Sequence, residues 1–419
     1  MACLHTADIL LPAEGIDRKR WPVIACDQFT SQPEYWKQVE EYVGDAPSTL
    51  RIIYPEAYLG NDDEAAYARR LDAVQRNMEH YLSDGILTEE VRQGYVLTVR
   101  ETEAGIRCGL VAALDLEAYD YTKDSESLVR ATEETVQERI PVRVGIRKHA
   151  LVESPHVMML LDDAECRLLE PLYQNREKLR RLYDTELMLG GGKVCGYAVE
   201  GIEAEILSDK LAELEQKGAE IFLAVGDGNH SLAAAKACWE RLKESLPEKE
   251  LESHPARYAL VEVVNLHSPS LEFEAIHRVL YGGRIDAVME EFRRYLELWS
   301  GCGTEAACNE GEADVVFVQG GCRAGIRLSH TEGHLAVELL QHFLDGYLGK
   351  HPALELDYVH SPEAAAELSR EGKACSMLLR SIDKSSLFPA IQAGGVLPRK
   401  TFSIGTEAQK RYYMECRRL

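Results

Sequence analysis

Ile221-Phe222-Leu223-Ala224-Val225-Gly226-Asp227-Gly228-Asn229-His230-Ser231-Leu232-Ala233-Ala234-Ala235 runs from an apolar segment, through five small or polar residues, into an alanine-rich one. The first six residues have the length and punctuation of a buried strand. The last have high helix propensity, and Ser231 stands where a cap is expected. A strand that turns through Asp-Gly straight into a helix presents backbone N–H groups at the positive end of the helix dipole, which suits a phosphate. Gly228 lets the backbone approach a ligand, and Asp227 offers a carboxylate to a metal ion or a substrate hydroxyl. His230 suits phosphate pairing or proton transfer. The same residues also read as a capped helix after a tight turn, with His230 satisfied by a neighbour.

Working outward, Tyr95–Arg100 and Ile106–Leu114 form a β-rich pair around Ala104-Gly105, and Val157–Leu161 and Ala256–Asn265 are further strands. A strand is expected at Leu50–Tyr54. Apolar spacing predicts helices over Asp62–Leu82, Tyr173–Tyr183, Ala204–Gln216, Ala287–Leu298, Leu339–Leu348 and Pro362–Arg370, with another starting near Ser125 or Thr132. Val315–Gln319 and Ala324–Leu328 flank Gly320-Gly321 as a hairpin. Leu189-Gly190-Gly191-Gly192-Lys193 lacks the spacing of a phosphate loop and reads as a flexible loop or hairpin tip. Alternating strands and helices with two hairpins predict an α/β or α+β protein with a mixed sheet. The polar stretch Gly301–Gly311 suggests a boundary between a core, residues 1–300, and a C-terminal lobe, residues 301–419, unless the chain is one continuous domain.

The net charge of -23 opposes nucleic acid and leaves small molecules as the expected partners. No apolar run reaches membrane-spanning length, and the start of the chain lacks the pattern of a signal peptide. The cysteines are scattered without a Cys-x-x-Cys pair, which argues for reduced thiols in a cytoplasm and against a zinc ribbon. Nothing in the sequence sets the oligomeric state.

Six segments occur in the order of one known family. Trp21-Pro22-Val23-Ile24-Ala25-Cys26-Asp27-Gln28 is similar to its opening strand and turn, and Tyr54-Pro55-Glu56 to its Arg-Pro-Glu step. Arg130-Ala131-Thr132-Glu133-Glu134-Thr135 with Arg139 resembles its Arg-His-Glu-x-Thr segment. Asp227–Ser231 resembles its Asp-Gly-His-His-Arg element, Ala275-Ile276-His277-Arg278 its Pro-Thr-His-Arg element, and Gly395-Val396-Leu397-Pro398-Arg399-Lys400-Thr401-Phe402 its Met-Pro-Arg-Lys-Ser ending. The chain thus resembles domain-of-unknown-function family 1015. The Asp-Gly-x-His element also resembles that of the ParB/sulfiredoxin fold, which includes free serine kinases. This second resemblance implies a ParB/sulfiredoxin-like phosphate-binding core with additional helices and a second C-terminal lobe.

What the resemblance implies for chemistry is phosphoryl transfer, which needs positioning, neutralisation and a base. Glu133 is the candidate base, with an N-terminal helix acid as its alternative reading. Asp227 and His230 complete the catalytic set, and Asp227 is also the metal candidate, for Mg²⁺. Gly228, Asn229, Ser231, His277, Arg278, Arg399 and Lys400 are the expected phosphate or nucleotide contacts. Ser231 stands where the pattern has Arg, so Arg278, Arg399 or Lys400 has to supply the missing charge. The implied activity is a phosphotransferase of serine metabolism using ATP, ADP or pyrophosphate as donor. A phosphoserine-type phosphatase on the same cradle and a non-catalytic sensor of a nucleotide or amino acid are the alternatives.

Overall fold

A computed structural model describes residues 2–59, 62–135, 140–155, 157–217, 220–299, 302–307, 310–331 and 333–419. Arg139 of the family-like segment lies outside the described residues, as do residues 301, 308 and 309 of the expected boundary. The chain divides into two compact units: unit 1 is Met1–Glu272 with Gly405–Leu419, and unit 2 is Phe273–Ile404. The division expected at residue 300 falls inside unit 2, and the end of the chain belongs to unit 1.

In unit 1 the elements are β1 (Leu4–His5), β2 (Ala7–Pro12), α1 (Pro33–Val43), α2 (Glu64–Ser83), β3 (Leu87–Thr102), β4 (Gly105–Asp115), β5 (Tyr119–Asp120), β6 (Val129–Ala131), α3 (Ile140–Arg147), β7 (Val152–Glu153), β8 (Met158–Leu161), α4 (Leu169–Gln174), β9 (Arg180–Glu186), β10 (Lys193–Val199), α5 (Ile202–Gln216), β11 (Leu223–Asp227), α6 (Asn229–Lys243), α7 (Glu248–Leu251) and β12 (Tyr258–Asn265). One sheet has the order β5-β6-β11-β8-β12-β4-β3-β10-β9, with β1 on β4 and β2 on β3. It is mixed: β11 is parallel to β6 but antiparallel to β8, and β12 is parallel to β8 but antiparallel to β4.

Alternation along the strands builds a core on each face. Tyr95, Leu97, Val99, Leu110, Ala112, Val261 and Val263 pack with Leu207, Leu211, Leu232 and Trp239 from α5 and α6. On the other face Val96, Val111, Ala113 and Leu260 pack with Trp36, Val39, Val74 and Met78 from α1 and α2, and with Tyr412, Tyr413 and Met414 from the chain's end. Thr98, Arg100, Arg107 and Glu262 follow in the same alternation on that second face.

Unit 2 holds β13 (Phe273–Ala275), β14 (His277–Tyr281), α8 (Ile285–Trp299), β15 (Gly303–Ala306), β16 (Val315–Gln319), β17 (Cys322–Ser329), α9 (Ala336–Lys350), β18 (Glu355–Val359), α10 (Pro362–Leu368), β19 (Ala374–Leu379), α11 (Lys384–Gly394) and β20 (Phe402–Ile404), and unit 1 closes with β21 (Arg417–Arg418). Its antiparallel sheet has the order β15-β17-β16-β19-β14-β18. Phe292 and Leu296 of α8 meet Leu340, Phe343 and Leu344 of α9 in its main core.

Three local expectations give way. Residues 49–51 form a single 3-10 turn instead of a strand, because Ser48 Oγ accepts the Leu50 N–H at 3.2 Å while itself donating to Trp21 O. The helix expected over Tyr173–Tyr183 ends at Gln174, and residues 180–186 become β9, paired to β10 through the triple-glycine tip. The helix expected near Ser125 or Thr132 is replaced by strand β6, with α3 beginning at Ile140. The described cysteines are free, and among the described residues no helix is long and apolar enough to cross a membrane.

Candidate functional site

Strand β11 ends at Asp227 and α6 starts at Asn229, so only Gly228 separates them. Gly228 sits at φ 84°, ψ 24°, the left-handed region that a side chain disfavours. It is the residue before the helix, and no side chain caps it, so Ser231 is not the cap expected of it. Ser231 lies in the first turn with its N–H donated to Gly228 O at 3.0 Å. Gly228 N donates to Asp227 Oδ1 at 3.1 Å. Among the described residues Asn229 Oδ1 is buried without a hydrogen-bond donor.

Glu133 reaches the same end of the sheet. Ala131 of β6 and Val225 of β11 are register partners in parallel strands, so Glu133 and Asp227 each follow that pair by two residues. Thr132 Oγ1 fixes the crossing by donating to Val225 O at 2.6 Å. Glu133 therefore follows a strand and is not the first-turn acid of a helix. Helix α3 flanks α6, with Ile140 and Val144 against Ala233 and Ala234.

The charge at this turn comes from a segment that the sequence reading passed over. Lys410 Nζ lies 3.3 Å from Asp227 Oδ2, with both side chains largely buried. The segment is clamped by two strand arginines: Arg100 donates to Ala408 O at 2.7 Å, to Gln409 O at 3.2 Å and to Lys410 O, and Arg107 donates to Gln409 O at 2.9 Å. Arg100 also lies over the Tyr412 ring, 4.9 Å from its centroid. Arg100 and Arg107 stand directly opposite in the β3–β4 ladder, a like-charge placement that is unfavourable on its own. Tail carbonyls and Glu262 answer it. Glu262 Oε1 accepts from Thr98 Oγ1 at 2.5 Å, and Oε2 lies 2.9 Å from Arg411 Nη1. Burial pushes the Glu262 carboxyl up, but Arg411 and Arg107 outweigh it and hold it down at about 2. A Cβ on Gly109 would collide with the buried Glu262 side chain, which favours glycine on the neighbouring strand there.

Further along, Arg411 donates to Glu415 Oε2 at 2.6 Å and to Pro155 O at 2.7 Å. The opening segment meets the tail as well: Ala25 N donates to Arg411 O at 2.9 Å, and Cys26 N to the Tyr413 hydroxyl at 3.0 Å. Asp27 follows directly, and the nearby Glu56 carboxylate pairs with Arg143 of α3.

The remaining expected contacts belong to unit 2. Arg278 has no exposed surface; it donates to Gln341 Oε1 at 3.1 Å and to Ile276 O, and stacks over Tyr358. A guanidinium wholly enclosed and bonded inside its own unit has no face to offer a phosphate, which corrects the role expected of it. His277 is buried and its Nδ1 accepts the Leu379 N–H at 3.1 Å, while burial and then Arg278 bring its pKa down to about 4. It is a neutral structural acceptor. Arg399 and Lys400 are exposed, in a loop where Thr401 Oγ1 donates to Pro398 O at 2.5 Å.

Asp227 was also the metal candidate. Its carboxylate faces an ammonium at 3.3 Å, and among the described residues no three His, Cys, Asp or Glu side chains gather to hold an ion. This donor set does not fit a metal centre built by the protein. Lys410, Arg411, Arg100 and Arg107 had one visible signal: basic residues in short segments otherwise rich in aromatic or β-branched ones. Glu262 had the same signal as a lone carboxylate within Ala259-Leu260-Val261-Glu262-Val263-Val264.

A mixed sheet whose strand-to-helix turn carries an Asp–Lys pair beside a buried arginine clamp defines an α/β protein with an anion-compatible turn. The chain belongs to the family described as Protein of unknown function (DUF1015), whose model matches residues 10–347. No curated protein matches it. Among solved structures it is similar to a mutant free serine kinase in complex with AMP, at a TM-score of 0.40 and 11% identity over 73% of this chain and 90% of that one. A mutant free serine kinase in complex with ADP gives 0.39 and 12% over 73% and 91%. SbnI with a C-terminal truncation, from Staphylococcus aureus, gives 0.38 and 9% over 70% and 82%.

Proposed function

We propose that the Asp227–Ser231 end of unit 1 is the phosphoryl-transfer site of a small-molecule kinase whose acceptor is serine and whose donor is ATP, ADP or pyrophosphate. The observation that carries this reading is the Asp227–Lys410 pair at the turn, with Glu133 leaving a parallel strand at the same end. It is supported by the resemblance of the Asp-Gly-x-His element to that of nucleotide-binding ParB/sulfiredoxin proteins. Lys410 takes the part assigned from sequence to Arg278, Arg399 or Lys400: it neutralises phosphate held at the N-terminus of α6. Glu133 accepts the acceptor's hydroxyl proton as its oxygen attacks the donor's terminal phosphorus, the phosphoanhydride P–O bond breaks to release ADP, AMP or phosphate, and His230 steadies the transferring group. Asn229 Oδ1 is free to accept from the acceptor's ammonium or hydroxyl. Asp227 keeps Lys410 oriented until the anion arrives.

Purified protein with Mg²⁺, serine and each donor in turn tests the reading. Phosphoserine formation is expected with one donor. Glu133→Gln should abolish it while calorimetry still records nucleotide binding. Absence of turnover with every donor, by protein that binds none of them, refutes the proposal. Hydrolysis of phosphoserine without any forward transfer would convert it to a phosphatase.

A further inference from the structure

Unit 2 holds an open cavity of about 520 Å³ that the phosphoryl-transfer reading does not use. Its size falls in the range of roughly 300–1,000 Å³ usual for small-molecule pockets. It lies where one end of the sheet meets the start of α10. β14 begins there at His277, whose register partner Val359 ends β18, and β19 ends there at Leu379. Ala275, Pro362, Leu378 and Leu379 give the cavity apolar walls, with Glu274 and His277 set among them. The His277 side chain is almost enclosed, and its ring's one hydrogen bond among the described residues is the Leu379 N–H received at Nδ1. Burial and then Arg278 bring its pKa down to about 4, so the ring is neutral at physiological pH. A neutral ring that accepts at Nδ1 carries its proton on Nε2. Nε2–H is therefore a fixed donor, without an acceptor among the described residues, on a ring that borders the cavity. The half-buried Glu274 carboxylate borders it too and has no hydrogen bond or ion pair among the described residues.

A complementary guest offers a lone pair to Nε2–H and an N–H to Glu274, on a compact body that suits the apolar walls. An anion meets only the first demand and is opposed by Glu274, with the Glu363 carboxylate also near the ring. A metal ion shared by His277 and His360 needs the Nε2 lone pair, and the Leu379 contact leaves a proton there instead. We infer that this cavity binds a small uncharged nitrogen heterocycle or ring carboxamide, the chemistry of a nucleobase or of nicotinamide, with its acceptor on His277 Nε2–H and its N–H on Glu274. The site lies wholly in unit 2 and stands or falls apart from the phosphoryl-transfer reading.

The full chain is titrated with adenine, uracil and nicotinamide, none of which carries phosphate for the Asp227 turn, and binding is read by ligand-observed saturation-transfer NMR. Saturable binding of at least one probe is expected. His277→Asn separates the two ring nitrogens: its amide oxygen still accepts the Leu379 N–H in place of Nδ1, and nothing reaches the position of Nε2. It should weaken binding roughly tenfold, and Glu274→Ala should do the same, the scale of one lost hydrogen bond. If His277→Asn fails to fold, Glu274→Ala decides alone. No saturable binding of any probe by the wild type overturns the inference, as does binding that a folded variant leaves unchanged. Acetate or Zn²⁺ bound in the wild type and lost in His277→Asn overturns the chemical class.

Discussion

Glu262→Gln isolates the electrostatics that hold the tail in place. The substitution is nearly isosteric, so it opens no cavity, and its amide can still meet Thr98; what it removes is the charge facing Arg411 and Arg107. The drop of the carboxyl from its ordinary 4.5 to about 2 corresponds to roughly 3 kcal/mol of folding stability at neutral pH. Breaking a buried pair by removing one partner costs about 3–5 kcal/mol on independent grounds. Because the folded pKa is depressed, this contribution is complete above about pH 5 and is lost as pH falls through 4.5 toward 2. By pH 3.5 roughly 1.5 kcal/mol of it is gone. Other carboxylates titrate alike in both proteins and cancel in the difference. Urea unfolding followed by tryptophan fluorescence reports mainly on unit 1, which holds the buried Trp21, Trp36 and Trp239. The expected result is a variant less stable by roughly 3 kcal/mol at pH 7 and by about half that at pH 3.5. A difference below about 0.5 kcal/mol at pH 7, within ordinary surface-substitution scatter, or one that does not shrink in acid, would refute the reasoning.

Lys410→Ala should weaken nucleotide or pyrophosphate binding by roughly 1.5–3 kcal/mol, the scale of a charge-assisted hydrogen bond, with Lys410→Arg retaining most of it; titration calorimetry reads both, and unchanged affinity in the alanine variant removes Lys410 from the site. Gly228→Ala forces a side chain into φ 84° and should cost about 1–2 kcal/mol, measured by urea unfolding; a neutral result would mean the turn relaxes out of the left-handed region.

Legibility in the sequence followed the range of the interactions. The helix over Asp62–Leu82 appears as α2 because its apolar spacing and the Asp63 cap are local. The β3–β4 hairpin is read from alternation around Ala104-Gly105. The start of α6 was placed three residues late because Ser231 is a good cap in isolation, whereas the left-handed Gly228 begins the helix earlier. Residues 180–183 looked helical because Arg and Leu tolerate both states, and only the partner strand across the triple glycine made them part of β9.

The amino-acid order alone determined the element types wherever periodicity and caps agree, the mixed α/β class, and the strand–turn–helix at Asp227 with Glu133 as a second carboxylate of interest. Tertiary structure decided which charges meet. Lys410 lies far along the chain from Asp227, on a tail whose place depends on carbonyls bonded to Arg100 and Arg107 and on Arg411 facing Glu262. No local propensity encodes such a pairing, because its free energy exists only once burial has removed the water that would otherwise screen each charge separately. For the same reason Arg278, a plausible phosphate ligand by motif, is enclosed and committed to Gln341 and Tyr358.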